Sequence, residues 1–306
     1  GDFELLNNTE WLEKVKLLDF LRDVGKNFSV NGLIQRDFVK ERLANVEQGI
    51  SYTEFSYALL QAYDYWHLNK KYGCDLEVGG SDQWGNIVSG VDFVRRKEGK
   101  VVYALTWPLL VDKTGKKFGK SEQGTVWLDS SKTSPFQFYQ FWLNAPDDSA
   151  EEFLLKMTLL STSEIRMIIE EQKKNPGDRH AQKILAREAT TLVHGKDIAE
   201  NVEAVSSVLF GKNEVKDLSA DERELLLKEA PTFAVRLGMT LVDVLIASGL
   251  ASSKREARQF IEDGAVTMNG GLVSGIDRVI MHEDFQDVPL ATLTRGKRHV
   301  IVLTLG

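Results

Sequence analysis

Three groups of residues along the chain have the types and the spacing for chemistry. In "SYTEFSYALLQAYDYWHLN" (51–69), Tyr57, Gln61 and Asp64 stand at i, i+4 and i+7. On a helix that spacing puts a phenol, an amide and a carboxylate on one face. The segment is otherwise apolar nearly all round, through Phe55, Leu59, Leu60, Tyr63, Tyr65, Trp66 and Leu68, a pattern that predicts burial. Burying the amide alone without a partner costs roughly 2–7 kcal/mol. Either this face meets water, or it walls a pocket where the three groups converge on a small polar ligand carrying an ammonium. A little further on, "LEVGGSDQWGN" (76–86) breaks a short apolar run with Gly79 and Gly80, then Ser81, Asp82 and Gln83, while Glu77 stands just before the turn. Read as strand, tight turn and helix start, it sets Asp82 and Gln83 outside the carboxyl end of a strand, where ligands of open α/β sheets bind. Backbone N–H groups at a helix start also suit an anionic group. The stretch is neither GxGxxG nor a P-loop, and a glycine pair is equally the mark of a plain turn. The third group, "DKTGKKFGKSEQGTVWLD" (112–129), interleaves Lys113, Lys116, Lys117 and Lys120 with Gly115, Gly119 and Gly124. It reads either as a solvated loop or as a segment that folds over phosphates, where phosphoryl or nucleotidyl transfer needs positive charge.

The elements that must position these groups alternate in type. "DLEV" (75–78) and "KVVYALTWPLLV" (100–111) are strand candidates, and helical periodicity surrounds them around 11–24, 53–69 and 83–97. That is the alternation of a parallel α/β layer. The opening "FELLNNTEWLEKVKLLDFLRDVG" reads as one amphipathic helix. From about 131 to 235 the pattern is almost wholly helical. "SPFQFYQFWLNA" begins with Ser134 as N-cap before Pro135, and "SAEEFLLKMTLL", "TSEIRMIIEEQKK" and "RHAQKILAREATTLVHGKDIAENVEAVSSVLF" follow. The polar "GKNEVKDLSADER" and the region of Pro231 read as the approach to a boundary. Beyond it come "TLVDVLIASGL", "SSKREARQFIEDG", a β-like "AVTMNG" and a terminal "HVIVLTLG". There is no repeat and no low-complexity tract.

With 306 residues, 42% of them hydrophobic, the chain can bury cores for two or three domains. The single cysteine, Cys74, excludes an internal disulfide framework and a Cys-rich metal site, and points to a reduced, cytosol-like compartment. No apolar run is long enough to span a bilayer, and the N-terminus carries no signal-peptide pattern. A net charge of −7 argues against a generally basic nucleic-acid coat but leaves room for local patches. One such patch is Lys254, Arg255 and Arg258 at helical spacing, with Arg295, Lys297 and Arg298 before the last strand. Glu256, Glu262 and Asp263 dilute it, so composition alone reads an ordinary amphipathic helix. The chain opens on Gly1 rather than Met, which suggests a processed or partial chain.

Taken together, "FSYALLQAYDY", "GGSDQWGN" and "KFGKS", in this order, resemble the bacterial-type tyrosyl-tRNA synthetases, class I aminoacyl-tRNA synthetases. "KFGKS" is similar to that class's Lys-Met-Ser-Lys-Ser signature, and the likeness continues through "TSPFQFYQFWLN", "LVHG" and "GLASSKREARQFIEDGAVTMNG", essentially the whole chain. The resemblance implies an α/β fold. Residues 1–130 would be the second half of a Rossmann-like parallel-sheet nucleotide-binding domain with the KFGKS loop. Residues 131–236 would be an all-helical anticodon-binding domain, and 237–306 a small α+β RNA-binding domain like one in a ribosomal protein. It also implies a reaction. The carboxylate of tyrosine attacks the α-phosphate of ATP, and the tyrosyl group then passes from the adenylate to the terminal ribose of tRNA(Tyr). Magnesium would arrive with ATP, with no tightly bound cofactor and no protein metal site. By matched position, Tyr57, Gln61 and Asp64, with Glu77, would bind tyrosine. Gly80, Asp82 and Gln83 would contact the adenylate, and Lys117 and Lys120, supported by Ser121, would stabilise the leaving pyrophosphate. Lys254, Arg255, Arg258, Lys297 and Arg298 would contact RNA. A cytoplasmic homodimer joined near 28–52 is implied as well.

The chain departs from the family in two places. The His-Ile-Gly-His signature is absent, and the only His-Gly, His194-Gly195, lies in the helical region. In the family that signature precedes everything seen here, so the expectation is a chain incomplete for catalysis, unable to form tyrosyl-adenylate unaided. Glu77 stands where the family commonly carries glutamine and adds a charge beside the substrate ring. Two other readings stay open: a non-catalytic RNA-binding protein built on the synthetase architecture, and another nucleotide-binding α/β protein with an unrelated RNA module. The lysines of "KFGKS" and the intact Tyr57–Gln61–Asp64 stripe favour the ligase, because a pure RNA binder has no need of them.

Overall fold

The computed structural model describes residues 3–45, 49–110, 125–210, 213–285, 288–296 and 299–306. The chain divides into two compact units, Gly1–Gln123 and Gly124–Gly306.

The first unit opens with four short helices, α1 (Thr9–Leu12), α2 (Leu17–Asp23), α3 (Val30–Ile34) and α4 (Asp37–Ala44). The single amphipathic helix expected over the opening is therefore two helices with a break between them. The chain is already extended at Lys16 (ψ 140°), and the Asn7 side chain accepts from the Thr9 N–H at 3.0 Å at the entry to α1. The long helix α5 (Tyr52–Tyr72) follows. Its start is fixed by a capping box: the Ser51 hydroxyl accepts from the Glu54 N–H at 3.1 Å, and the Glu54 carboxylate accepts from the Ser51 N–H at 3.0 Å. Its end is set by Gly73 in the left-handed conformation (φ 71°).

From there the chain runs through strand β1 (Leu76–Gly80), a 3₁₀ turn (Ser81–Gln83), helix α6 (Trp84–Glu98) and strand β2 (Tyr103–Trp107). The strands pair in parallel from Leu76↔Tyr103 to Gly80↔Trp107, as the alternation of elements predicted. Helices α5 and α6 pack closely at Gly90, where a Cβ would come within 2.7 Å of the Tyr65 ring. Tyr65 is buried there and donates its hydroxyl to the Tyr103 carbonyl at 2.6 Å, which ties α5 to β2. Its phenol is pushed up to about 12, chiefly by burial. Of the largely apolar α5, Ala58, Ala62, Tyr65 and Asn69 are fully buried, while Tyr57 on the polar stripe is half exposed. Ala62 joins Val24 and Phe93 in one small core, and Tyr65 joins Val94 and Val102 in another.

The second unit begins with α7 (Pro135–Leu143), capped by Ser134 as its sequence predicted, and continues through α8 (Ala150–Met157), α9 (Thr162–Lys174), α10 (His180–His194), α11 (Lys196–Phe210) and α12 (Ala220–Glu229). The long run 179–210 is two helices, because Gly195 (φ 93°) interrupts it. Helix α12 starts within the polar stretch before Pro231. Ser219 and Glu222 form a capping box that starts α12 there. A five-stranded sheet follows, ordered β3 (Thr232–Val235), β7 (His299–Leu305), β6 (Leu290–Arg295), β4 (Val266–Met268) and β5 (Gly271–Leu272). Strand β3 runs parallel to β7, and the other pairings are antiparallel. Helices α13 (Leu241–Ala247) and α14 (Lys254–Glu262) share the sheet's core through Leu241, Val244, Leu245, Ala257 and Ile261.

Candidate active site

Helix α5 carries Tyr57, Gln61 and Asp64, and strand β1 brings Glu77 against Gln61. Asp64 is held from both sides. Asn8 Nδ2 donates to its Oδ2 at 3.0 Å, and the Trp11 indole Nε1 donates to its Oδ1 at 2.6 Å. Trp11 is buried and stacks on His67 with ring centroids 4.5 Å apart and planes 16° apart, so the indole that fixes Asp64 is itself fixed. One turn earlier, Gln61 donates Nε2 to Glu77 Oε1 at 2.9 Å. Tyr57, a further turn back, is half exposed. Water and partners therefore share the satisfaction of the polar stripe: Tyr57 meets solvent, while Gln61 and Asp64 are bonded within the protein.

Glu77 is the residue whose environment is least ordinary. Burial holds its carboxyl above the usual glutamate range; the Gln61 hydrogen bond works against this, and the charge on Asp64 adds to it. Its Oε2 is buried with no hydrogen-bond partner among the described residues.

At the turn, the space freed by each glycine is taken by the chain itself. A Cβ on Gly80 would stand 2.8 Å from both Asp82 Oδ1 and Leu109 Cδ2, and one on Gly79 would stand 3.2 Å from Ile87 and 3.3 Å from Gln83. The glycines let β1 fold directly into the 3₁₀ turn, which sets Asp82 and Gln83 immediately beyond the strand end. Gln83 Oε1 accepts from Asn86 at 3.4 Å. Lys113, Lys116, Lys117, Lys120 and Ser121 lie outside the described residues, as do Lys297 and Arg298.

On α14, Arg255 and Arg258 are exposed, whereas Lys254 pairs with Asp243 at 3.3 Å. Arg295 is used internally: it donates to the Leu250 carbonyl at 2.7 Å and lies 4.9 Å over the Phe260 ring. His194 is structural. It ends α10 with its ring edge-on to Phe138 at 5.1 Å.

Asn8 and Trp11 carry no signal in the sequence. They reach Asp64 across 56 and 53 residues, and nothing local in "NNTEW" announces such a pairing. Among the described residues, no group of three or more His, Cys, Asp or Glu side chains is placed to hold a metal ion, and no helix is long and apolar enough to cross a membrane.

Comparison with known proteins gives this geometry a family. A family model described as tRNA synthetases class I (W and Y) matches residues 2–211, and one described as the tyrosine–tRNA ligase SYY-like C-terminal domain matches residues 222–303. The tyrosine–tRNA ligases of Streptococcus pyogenes serotypes M5 and M18 are each 45% identical over 303 residues, 98% of this chain and 72% of theirs. Among solved structures, C-terminally truncated mitochondrial tyrosyl-tRNA synthetases of Coccidioides posadasii and Aspergillus nidulans align with TM-scores of 0.54 and 0.52 at 33% and 37% identity. Each of those alignments covers 64% of this chain and 56% of the other, so the chain spans little more than half the length of these solved relatives. With both family models matched in sequence order and close relatives over nearly its whole length, the chain belongs to the class I tyrosyl-tRNA synthetase family.

Proposed function

We propose that the chain serves tyrosine–tRNA ligation, the activation of tyrosine with ATP and the transfer of the tyrosyl group to tRNA(Tyr), by supplying the tyrosine site, the GGSDQ turn and the KFGKS lysines, while the His-Ile-Gly-His signature is not among its residues. The observation that carries this reading is the Asp64 carboxylate, clamped by Asn8 and Trp11 and set one turn from Gln61, which bonds Glu77 on β1. A fixed carboxylate and an oriented amide are what the ammonium of a free amino acid requires. Tyr57, Gln61, Asp64 and Glu77 bind tyrosine. Gly80, Asp82 and Gln83 contact the adenylate, whose phosphate comes to the start of α6. Lys117 and Lys120, with Ser121, stabilise charge on the leaving pyrophosphate, and magnesium enters on the phosphates of ATP. No side chain acts as a covalent nucleophile; positioning and electrostatics supply the rate.

Residues 131–236 serve as the anticodon-side module. The segment 237–306, together with β3, serves as an RNA-binding module that uses Arg255 and Arg258, with Lys254, Lys297 and Arg298 at its margin. The protein acts in the cytoplasm as a homodimer joined near 28–52, where Val30, Ile34 and Leu43 are exposed apolar side chains. The test is equilibrium binding of tyrosine to the protein and to Asp64→Asn. Loss of the counter-charge weakens tyrosine by roughly 10–100-fold, from the 1.5–3 kcal/mol of a hydrogen bond to a charged group, and leaves a ligand lacking the ammonium unaffected. Equal tyrosine affinity in the two proteins would remove Asp64 from the site.

A further inference from the structure

Strands β1 and β2 present a face that nothing among the described residues covers. Side chains alternate along both strands, and the parallel register sets Leu76 beside Tyr103 and Val78 beside Leu105, with Trp107 next along β2. These five side chains are 49–63% exposed. The opposite face is the covered one. There Glu77 bonds Gln61 of α5, and a Cβ on Gly79 would meet Ile87 of α6 at 3.2 Å. The outer edge of each strand also has no partner strand among the described residues.

Parallel sheets occur almost only with both faces covered, and two strands alone bury too little to stand as a sheet. A contiguous apolar patch of this kind marks an interface. Its geometry specifies the occupant. In doubly wound sheets helices lie on both faces, and the ligand crevice opens at the strand where the order reverses. Helices α5 and α6 share one face, so the bare face is the one that the helices of another half cover. The reversal then falls at the free edge of β1, beside the end where Asp82 and Gln83 stand. The relatives have chain to spare for such a half. This protein accounts for 72% of each Streptococcus pyogenes ligase, and the unmatched remainder is long enough for more than one β–α unit.

We propose that the apolar face of β1 and β2, with the free edge of β1, docks a separate α/β polypeptide equivalent to that unmatched remainder. It adds a parallel strand beside β1 and lays a helix across Leu76, Val78, Tyr103, Leu105 and Trp107. No covalent link between the two pieces is required, because apolar burial and strand pairing supply the affinity. The proposal stands on the sheet and not on the tyrosine-site reading, and it is tested without tyrosine or ATP.

The protein, carrying an affinity tag, is co-expressed with the part of the Streptococcus pyogenes serotype M5 ligase that lies outside the aligned 303 residues, so that the fragment folds on its partner. The expected result is a co-purifying one-to-one complex in sedimentation velocity, with slowed amide hydrogen exchange in β1. Val78→Lys with Leu105→Lys alters two side chains already half exposed, so the free protein keeps its urea midpoint. In the complex the same pair weakens affinity, read across a dilution series, by roughly 100-fold or more. Leu159→Lys, at a side chain 86% exposed in the second unit, leaves the complex unchanged. Absence of a complex on co-expression, or a complex that withstands the paired lysines, overturns the proposal. Self-association of the protein that the paired lysines abolish, without capture of the fragment, assigns the face to a second copy and overturns it equally.

Discussion

Trp11 is the residue through which the candidate site is most directly tested, because its indole N–H is the shorter of the two bonds holding Asp64. Trp11→Phe deletes that donor and keeps a ring to stack on His67. A hydrogen bond to a charged group contributes about 1.5–3 kcal/mol to stability. Asp64 is only half buried, so water can reach Oδ1 once the indole N–H is gone, which puts the expected value near the lower end, about 1–1.5 kcal/mol. The single substitution also changes packing, so the bond itself is read from a double-mutant cycle with Asp64→Ala, in which the packing term is common to both arms. Urea unfolding followed by far-ultraviolet circular dichroism supplies the four stabilities. At a typical slope of about 1–3 kcal/mol per molar urea, the coupling corresponds to a midpoint shift of roughly 0.3–1.5 M. The cycle of Asn8→Ala with Asp64→Ala, at the other and more exposed carboxyl oxygen, gives a smaller coupling. A Trp11–Asp64 coupling below about 0.5 kcal/mol, the scale at which independent sites already add, would refute the claim that the indole positions the carboxylate.

Gly90→Ala sets a Cβ 2.7 Å from the buried Tyr65 ring, which is tethered at its hydroxyl and has nowhere to go. Overpacking of about 1–3 kcal/mol outweighs the roughly 1 kcal/mol gained in helix propensity, so denaturant unfolding should show a loss and not a gain. Glu54 has a carboxyl lowered to about 2 by the Ser51 N–H, Arg42 and the Ser51 hydroxyl, in that order. Because the folded value lies below the unfolded one, its contribution is present above about pH 4.5 and is lost as pH falls toward 2, and Glu54→Gln should flatten the acid side of the thermal midpoint against pH. Arg255→Glu with Arg258→Glu should weaken tRNA binding and reduce its salt dependence, by about one unit of log–log slope for each phosphate that is no longer neutralised. Lys254→Ala should do less, because its ammonium is paired with Asp243; filter binding across a salt series compares the three.

Much of this molecule is local, and local features are written in the order of residues. Helix α5 is announced by Ser51 three residues before Glu54 and ended by Gly73, and α7 by Ser134 before Pro135. The glycine pair before Ser81 marks the strand-to-helix turn, and the helical spacing of Tyr57, Gln61 and Asp64 sets them on a common face. The motifs that carry the family resemblance are of this kind, which is why the family is legible in the chain before it is folded. Where a periodic run misled, a single residue was weighed too lightly: Gly195 divides it into α10 and α11.

What the tertiary structure alone decided is which polar groups are satisfied, and by whom. Asp64 finds Asn8 and Trp11 more than fifty residues away, Gln61 finds Glu77 on a strand, and Tyr65 finds a carbonyl on β2. None of these pairings has a periodic signature, because each depends on how α5 lies against elements distant in sequence. The same holds for Glu77. The residue type predicts a charge beside the substrate, whereas desolvation, a property of the packed surroundings and not of the sequence window, raises its carboxyl above the ordinary glutamate value.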